Sequence, residues 1–390
     1  MNVILVGASV RAVAHAAARA GWVPIGFDRY GDRDLAAVAS SRAVDGDSFP
    51  GAIVDLVGSA PPGPWLYTGP IENHPGLIDQ IASSRPLWGN AGESVRAARD
   101  PFAVADVLDR AGLPRPDLRS GPEGLPEDGS WLVKPMASAG GIGVRAWAGA
   151  ATPRPDGAVV YQKKALGLTA SMVAACAGGR ASIVGLTHQR VGMPGLPFGY
   201  AGSIGPLDVS SKTHDLLRRM ADVFASSFRL VGLIGIDLVV DDDGVPWPVE
   251  INPRIPASAE VLELALRSSL LVDHRQACER GLLPRYAPEA GPGRVVGKAI
   301  VTATTRGTVP DLRGWVVPRP SAFQRPGLAD VPFPGARFEV GDPVLTVFAS
   351  GTGRDEVERR LERKAELVRT LLDGRFVGPG PGGSRHVHWI

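Results

Sequence analysis

The chain has 390 residues, 44% of them hydrophobic, with 42 Lys and Arg against 40 Asp and Glu. That length implies two or three domains with sizeable cores, and the near-balanced charge argues against a nucleic-acid or membrane-surface protein. Two cysteines far apart, Cys176 and Cys278, without CxxC spacing, exclude a disulfide framework and a structural zinc site.

The first residues lack the basic region and cleavage site of a signal peptide, and no stretch reaches about 18 consecutive apolar residues. A cytoplasmic protein is expected. The 49 Gly and 35 Pro fall mainly between apolar segments, which implies many loops rather than disorder.

Residues 2–7 are a short apolar run ending in Gly7. An alanine-rich helix follows to about Gly21, then a second strand ending in Asp28. This is a βαβ opening with buried parallel strands. Ser9 and Ala12 stand where a dinucleotide fingerprint needs its second and third glycines, so the reading is a small Rossmann-like domain with a tight first turn. After a Pro/Gly-rich stretch, Trp65 to Tyr67 ends in polar residues. Glu72 and Asn73 thus fall at the carboxyl end of a strand, where open α/β sheets meet ligands. Leu77 to Ser84 is expected as a short helix and Leu87–Asn90 as the last strand of this unit. Ser94 to Gly112 is amphipathic, with Val95, Phe102, Val104, Ala105 and Leu108 on one stripe and Pro101 suited to a helix start.

Trp131-Leu-Val-Lys134 is an apolar strand ending in lysine. It runs into a loop containing Ser138, Gly140, Gly141 and Gly143, after which Val144 returns as a strand. Such a loop lets backbone N–H groups approach phosphate oxygens while the lysine adds charge. The lysine precedes the glycines and no helix follows, so this is no Walker A loop. It reads as a hairpin lid, against the plainer reading of a glycine hairpin. Ala158 to Gln162-Lys163-Lys164-Ala165 is a further strand entering a loop. Ser171–Ala177 and Arg180–Gln189 are strands joined by Gly178-Gly179, and Lys212–Phe228 is a helix burying Leu216, Leu217, Met220, Val223 and Phe224.

Gly232 to Asn252 reads as a β-hairpin turning at Gly244. Asp237 lies in its first strand, and Glu250 and Asn252, two apart, leave one face of its second. Three oxygen-donor side chains in an apolar hairpin are costly unless a cation compensates them, and a hard divalent cation with bound phosphates would. Ser258 to Leu271 is another helix. From about Gly293 short β-runs appear at Val295, Trp315, Ala336 and Val344, before a charged helix over Arg354–Leu372. Residues 378–390 read as a mobile tail.

The order strand–Lys134–Gly loop, strand–Gln162–Lys163, then Asp237…Glu250-x-Asn252-x-Arg254 resembles the ATP-grasp superfamily of ligases. The thirteen-residue step from Asp237 to Glu250, followed by Asn252, is similar to the magnesium set of D-alanine–D-alanine ligase. The added Arg254 is more similar to biotin carboxylase and carbamoyl phosphate synthetase. The resemblance spans roughly residues 1–375, and within the superfamily it leans to the bacterial and archaeal predicted ATP-dependent carboligases.

It implies an α/β (α+β ATP-grasp) fold: a Rossmann-like domain over 1–93, a two-lobed nucleotide- and metal-binding ATP-grasp domain over 94–288, a β-rich module over 289–375 and a flexible tail over 376–390. It implies ATP and Mg2+ (or Mn2+) as cofactors. Lys134 would hold the phosphates beneath a lid of Ser138, Gly140, Gly141 and Gly143. Gln162 with the main chain of Lys163 and Ala165 would line the adenine pocket. Asp237, Glu250 and Asn252 would bind magnesium, and Arg254 and Lys134 would act in catalysis.

Two departures stand out. Asp100 is followed by Pro101 where a phosphate lysine is usual, leaving Arg99 or Arg96 to substitute, and Thr169 stands where an acidic ribose contact is usual. The implied reaction joins a small-molecule carboxylate to an amine through an acyl phosphate, with ADP and phosphate released. Pterin- or furan-type one-carbon cofactor pathways (tetrahydromethanopterin or methanofuran) are one setting. The alternatives are a bicarbonate-using carboxylase or carbamoyl-phosphate-like enzyme, and a non-catalytic nucleotide-binding protein. Glu72, Asn73, His188, Arg190 and Tyr200 are candidates to line the substrate pocket. No nucleic-acid or membrane partner is implied, and a homodimer is the superfamily's habit.

Overall fold

The structure, a computed structural model, describes residues 1–44, 46, 48–285, 294–312 and 323–374. The apolar run at Trp315, the expected boundary at residue 289 and the expected tail from residue 376 lie outside the described residues.

The N-terminal part alternates β1 (Asn2–Val6), α1 (Arg11–Arg19), β2 (Val23–Asp28), α2 (Arg33–Ala36), β3 (Ser40–Ala43), α3 (Ile53–Ser59), β4 (Trp65–Tyr67) and α4 (Pro75–Ala82). Its sheet has the order β3-β2-β1-β4, and β1 pairs in parallel with β2 and β4. Val3 to Val6 are all buried, as a strand covered on both faces requires. The tight first turn serves packing: a Cβ on Gly7 would lie 1.9 Å from Thr68 Oγ1. Asp28 is buried and accepts from the Gly31 and Val10 amides at 2.9 and 3.4 Å, so its carboxylate is spent on the chain's own loops. The strand expected at Leu87–Asn90 is instead a single parallel bridge, Trp65 to Leu87. Gly89 takes φ +146° and ends the extended run there.

The expected helix over 94–112 is two helices, α5 (Gly92–Arg99) and α6 (Pro101–Arg110). Asp100 divides them, its carboxylate capping the Phe102 and Ala103 amides at 2.9 and 3.3 Å, with Pro101 in the first turn. The break turns Phe102 outward, where it is exposed rather than part of an apolar stripe. The small lobe that follows is a four-stranded sheet, ordered β5-β8-β6-β7, of β5 (Leu118–Arg119), β6 (Trp131–Pro135), β7 (Arg145–Ala146) and β8 (Val159–Lys163). Trp131, Val133, Trp147 and Tyr161 form its core.

The large sheet takes β9 (Leu168–Ala177), β10 (Arg180–Met193), β11 (Leu196–Gly205), β12 (Gly232–Val240) and β13 (Pro246–Asn252), with α7 (Ser211–Ser227) between β11 and β12. The Gly178-Gly179 turn has both residues at positive φ, as a two-residue hairpin demands. The packing of strand β9 shows why its residues are mostly small and apolar. Ala170, Met172, Ala174 and Cys176 pack with Leu217, Met220 and Phe224 of α7. Val173 and Ala175 share the opposite core with Val3, Leu5 and Val13 of the N-terminal domain. Alternation with period two thus puts α7 on one face and the Rossmann-like domain on the other.

Helices α8 (Ala259–Leu266) and α9 (Leu270–Arg280) follow, then β14 (Val295–Thr302), β15 (Gly307–Thr308), β16 (Leu328–Ala329), β17 (Arg337–Phe338), β18 (Pro343–Gly351) and α10 (Arg354–Leu372). Strands β14, β18 and β16 continue the large sheet beyond β11, giving the order β13-β12-β9-β10-β11-β14-β18-β16.

A buried ion network clamps these parts together. Arg11 of α1 bonds Glu260 of α8 and reaches Asp330 Oδ1 at 2.9 Å, while Lys298 of β14 donates to Glu260 Oε2 at 2.9 Å. Burial opposes the charge on Arg11, but Asp330, Glu260 and Asp34 offset it and hold its pKa well above the ordinary value. Removing one member of such a network strands the others. Arg11→Met should therefore cost about 3–5 kcal/mol of stability in urea unfolding; a loss below about 1 kcal/mol would contradict the clamp.

His274 of α9 is buried and neutral for a different reason. Its Nδ1 accepts from the Leu233 amide at 2.8 Å and its Nε2 faces the Trp88 carbonyl at 3.3 Å. Burial lowers its pKa to about 4. A depressed histidine contributes stability that is complete above pH about 6.5 and is lost as pH falls toward 4. Unfolding at stepped pH should show this loss, up to about 3 kcal/mol. His274→Asn, which keeps an acceptor but cannot titrate, should reduce the slope to the part that His15, also lowered by burial to about 4, contributes.

Candidate functional site

The hairpin β12–β13 forms as the sequence suggests, because Asp241 organises its turn. The Asp241 carboxylate accepts from the Val245 amide at 2.8 Å and from Trp247 Nε1 at 2.8 Å, and Gly244 takes φ +76°. The register sets Asp237 directly opposite Glu250, and Gly235 opposite Asn252. Two carboxylates on facing positions repel. Burial, and then Glu250, push the Asp237 carboxyl upward, which marks a site short of positive charge.

Cations converge on it from two other segments and from just beyond β13. Lys134, at the end of β6, donates to the Val249 carbonyl at 3.1 Å and to Gln162 Oε1 at 3.0 Å. Burial lowers its pKa, with Glu250 and Asp237 opposing that shift. Arg99, the last residue of α5, bonds Glu250, Asn73 Oδ1 (2.9 Å) and the Ser138 carbonyl (2.6 Å). Arg254 donates through Nε to Glu72 Oε1 at 2.7 Å, through Nη2 to Asn252 Oδ1 at 3.1 Å and through Nη1 to the Ile255 carbonyl at 3.3 Å. Burial works against the Arg254 charge, but Glu72, Glu250 and Asp237 outweigh it and its pKa is raised.

The glycine loop closes the group. Tyr200 of β11 donates its amide to the Gly140 carbonyl at 3.0 Å, and Ser138 Oγ donates to the Ile142 carbonyl at 2.6 Å. Gly140, Gly141 and Gly143 all have positive φ, and a Cβ on Gly141 would lie 1.9 Å from the Phe198 carbonyl oxygen. Only glycine permits that approach. Gly141→Ala is expected to hold the loop off β11 and lower kcat/KM for ATP about tenfold or more; unchanged kinetics would mean the loop does not work from this docked position.

Lys134, Gln162, Asp237, Glu250, Asn252 and Arg254 are thus brought together, with Ser138 linked through Arg99. Lys163 is exposed, with Nζ 3.7 Å from Asp117, and Ala165 is half-buried in the following loop. Of the candidates for a substrate pocket, Glu72 and Asn73 join the group through Arg254 and Arg99. His188 is held by the Thr169 carbonyl at 3.0 Å, Arg190 by Glu358 at 2.7 Å and Tyr200 by Ser203 at 2.8 Å. Thr169, standing where a ribose acid was expected, spends its hydroxyl on the Gln189 carbonyl at 2.7 Å.

Among the described residues no three His, Cys, Asp or Glu side chains cluster as a metal centre. The donor set here is two carboxylates and a carboxamide, Asp237, Glu250 and Asn252. All are oxygen donors on one face, which suits a hard divalent cation. Asn252 Nδ2 donates to Asp237 Oδ2 at 3.0 Å, so this carboxamide bridges the acid and Arg254. The residue types fit magnesium, and the charge deficit at Asp237 is the one a cation would relieve.

Residues 98–258 match the ATP-grasp domain family. The chain is 28% identical over 175 residues to an uncharacterized protein of Methanocaldococcus jannaschii, a match covering 45% of this chain and 40% of that protein. The chain thus spans well under two thirds of that relative's length.

Solved structures that share its fold include the following three. The biotin carboxylase domain dimer of Hydrogenobacter thermophilus 2-oxoglutarate carboxylase, in complex with MgADP, ADP and bicarbonate, is similar with TM-score 0.71 and 15% identity, covering 93% of this chain and 89% of that one. L-amino acid ligase from Bacillus licheniformis is similar with TM-score 0.65 and 16% identity, covering 94% and 97%. Phosphoribosylamine–glycine ligase from Thermotoga maritima is similar with TM-score 0.66 and 16% identity, covering 94% and 96%. Residues 98–258 thus form an ATP-grasp domain, the domain of ligases that work with ATP and Mg2+, and the chain as a whole shares the fold of those structures. No helix among the described residues is long and apolar enough to cross a membrane.

Proposed function

We propose that this protein is an ATP- and Mg2+-dependent ligase that joins a small-molecule carboxylate to an amine, through an acyl phosphate, with release of ADP and phosphate. The observation that carries the reading is the meeting of Lys134, Arg99 and Arg254 with Asp237, Glu250 and Asn252 at one spot. Transfer of a phosphoryl group to a carboxylate brings two anions together. The chain's contribution is to hold positive charge there and exclude water.

In this reading Lys134 binds the nucleotide phosphates under the loop of Ser138, Gly140, Gly141 and Gly143. Gln162, with the main chain of Lys163 and Ala165, lines the base pocket. Asp237, Glu250 and Asn252 would hold magnesium, which when bound neutralises phosphate charge. Arg99 bonds Glu250 through Oε1, and the carboxylate has a second oxygen to offer magnesium. Arg254 steadies charge on the transferring phosphoryl and the acyl carbonyl. We further read residues 1–93, 94–288 and 289–375 as the pre-ATP-grasp domain, the nucleotide- and metal-binding domain and the C-terminal module.

A screen of carboxylate and amine pairs, with ADP release and mass detection of the adduct, tests the reaction. Pterin- and furan-type precursors of one-carbon cofactors belong in the panel. ADP release that needs both partners and Mg2+ is expected. Release that needs bicarbonate and no amine would replace the ligase reading with a carboxylase, and AMP as product would end it.

A further inference from the structure

The ion pair between Glu72 and Arg254 joins two sheets. Glu72 lies in the 3-10 turn Ile71–Asn73, directly after β4 of the N-terminal sheet, and Arg254 follows β13 at the edge of the large sheet. The side chain of Glu72 is 0% exposed and that of Arg254 12%. The guanidinium lies against the Gly69 backbone, where a Cβ would come within 2.9 Å of Nη2 and 3.1 Å of Cζ. Asn252 Oδ1 and the Ile255 carbonyl accept two further hydrogen bonds from it, so Arg254 is held on several sides.

Glu72 itself is poorly repaid for its burial. Its Oε2 is buried with no hydrogen-bond partner among the described residues. The nearby Tyr67 hydroxyl is turned to the Asn90 and Pro253 carbonyls at 2.7 and 3.3 Å. A buried acceptor left unsatisfied costs free energy, so stability alone gives a weak reason for a carboxylate here. Orienting Arg254 gives a better one.

We propose that Glu72 is a positioning residue for Arg254, so that the N-terminal sheet completes the phosphoryl-transfer site. This rests on the ligase reading. With Glu72 in place the guanidinium keeps a fixed aim; with a neutral carboxamide there, the charge-assisted bond is gone, the plane is free to tilt and the preorganisation is lost.

The test uses the full chain and needs no knowledge of the substrates. Calorimetry would compare MgADP alone with MgADP plus aluminium fluoride, a mimic of the transferring phosphoryl group, for the wild type, Glu72→Gln, Glu72→Asp and Arg254→Met. MgADP affinity should stay within about twofold across the set, while the gain from fluoride should fall about tenfold or more in Glu72→Gln and Arg254→Met. Glu72→Asp, which retains the charge, should recover part of it. Melting temperatures identify any variant that loses the fold. A full gain in Glu72→Gln beside a lost gain in Arg254→Met overturns the positioning role. A wild type that binds MgADP without any gain overturns phosphoryl transfer itself, a separate failure that takes this inference with it.

Discussion

Glu250→Gln is expected to lower kcat about 10³-fold or more at saturating ATP, since metal stabilisation of a transferring phosphoryl supplies several kcal/mol. The reason lies in the hairpin register. Asp237 and Glu250 face each other across β12 and β13, and their shared negative charge would bring a divalent cation to the phosphates. Gln keeps the shape and removes the charge. The fold should survive, because the substitution also removes a like-charge neighbour of Asp237. Thermal melting within a few degrees of wild type (roughly 1 kcal/mol or less), beside lost turnover, is the expected pair of results. Normal turnover in Glu250→Gln would place metal binding elsewhere.

Arg254→Met comes second in size. It should lower kcat about 10²–10³-fold, the usual loss when one preorganised charge stabiliser is removed. The KM for ATP should move little, because Lys134 and the glycine loop hold the nucleotide in the proposed site. Arg254→Lys should recover little. The guanidinium reaches Glu72, Asn252 and Ile255 at once, and a single ammonium cannot reproduce that fork. A large rise in the KM for ATP with kcat intact would instead make Arg254 a nucleotide-binding residue. Steady-state kinetics on one active substrate pair separates the two.

Local patterns carried much of this site. Asp237, Glu250 and Asn252 were legible because a strand alternates with period two and the turn at Asp241–Gly244 has its own chemistry. The strand ending at Lys134 and the tight loop after it were legible because three glycines close behind an apolar strand mark a turn, and Gly140, Gly141 and Gly143 do take positive φ. Strand β11 was not, since proline and glycines interrupt the apolar pattern of Leu196–Gly205. Nor was the joining of β14 and β18 to the large sheet, which depends on pairings far apart in sequence.

The same limit applies to side chains. Arg99 suggested only a substitute for a missing phosphate lysine, and its reach to Glu250, Asn73 and Ser138 depends on how α5 crosses the hairpin. Glu72 suggested a substrate contact, and the structure pairs it with Arg254. His188, Arg190 and Tyr200 were also candidates to line a substrate pocket, and the structure pairs them with the Thr169 carbonyl, Glu358 and Ser203. Nothing in their local sequence announces those partners.

The most direct measurement of the central claim follows oxygen. A carboxylate substrate identified by the ADP-release screen would be labelled with 18O in both carboxyl oxygens and converted to amide with ATP, Mg2+ and its amine. The released phosphate would then be examined by 31P NMR. Passage through an acyl phosphate moves one labelled oxygen from the carboxylate into phosphate, matched one for one with ADP and amide. Phosphate without label, or AMP and pyrophosphate in place of ADP and phosphate, would contradict the account.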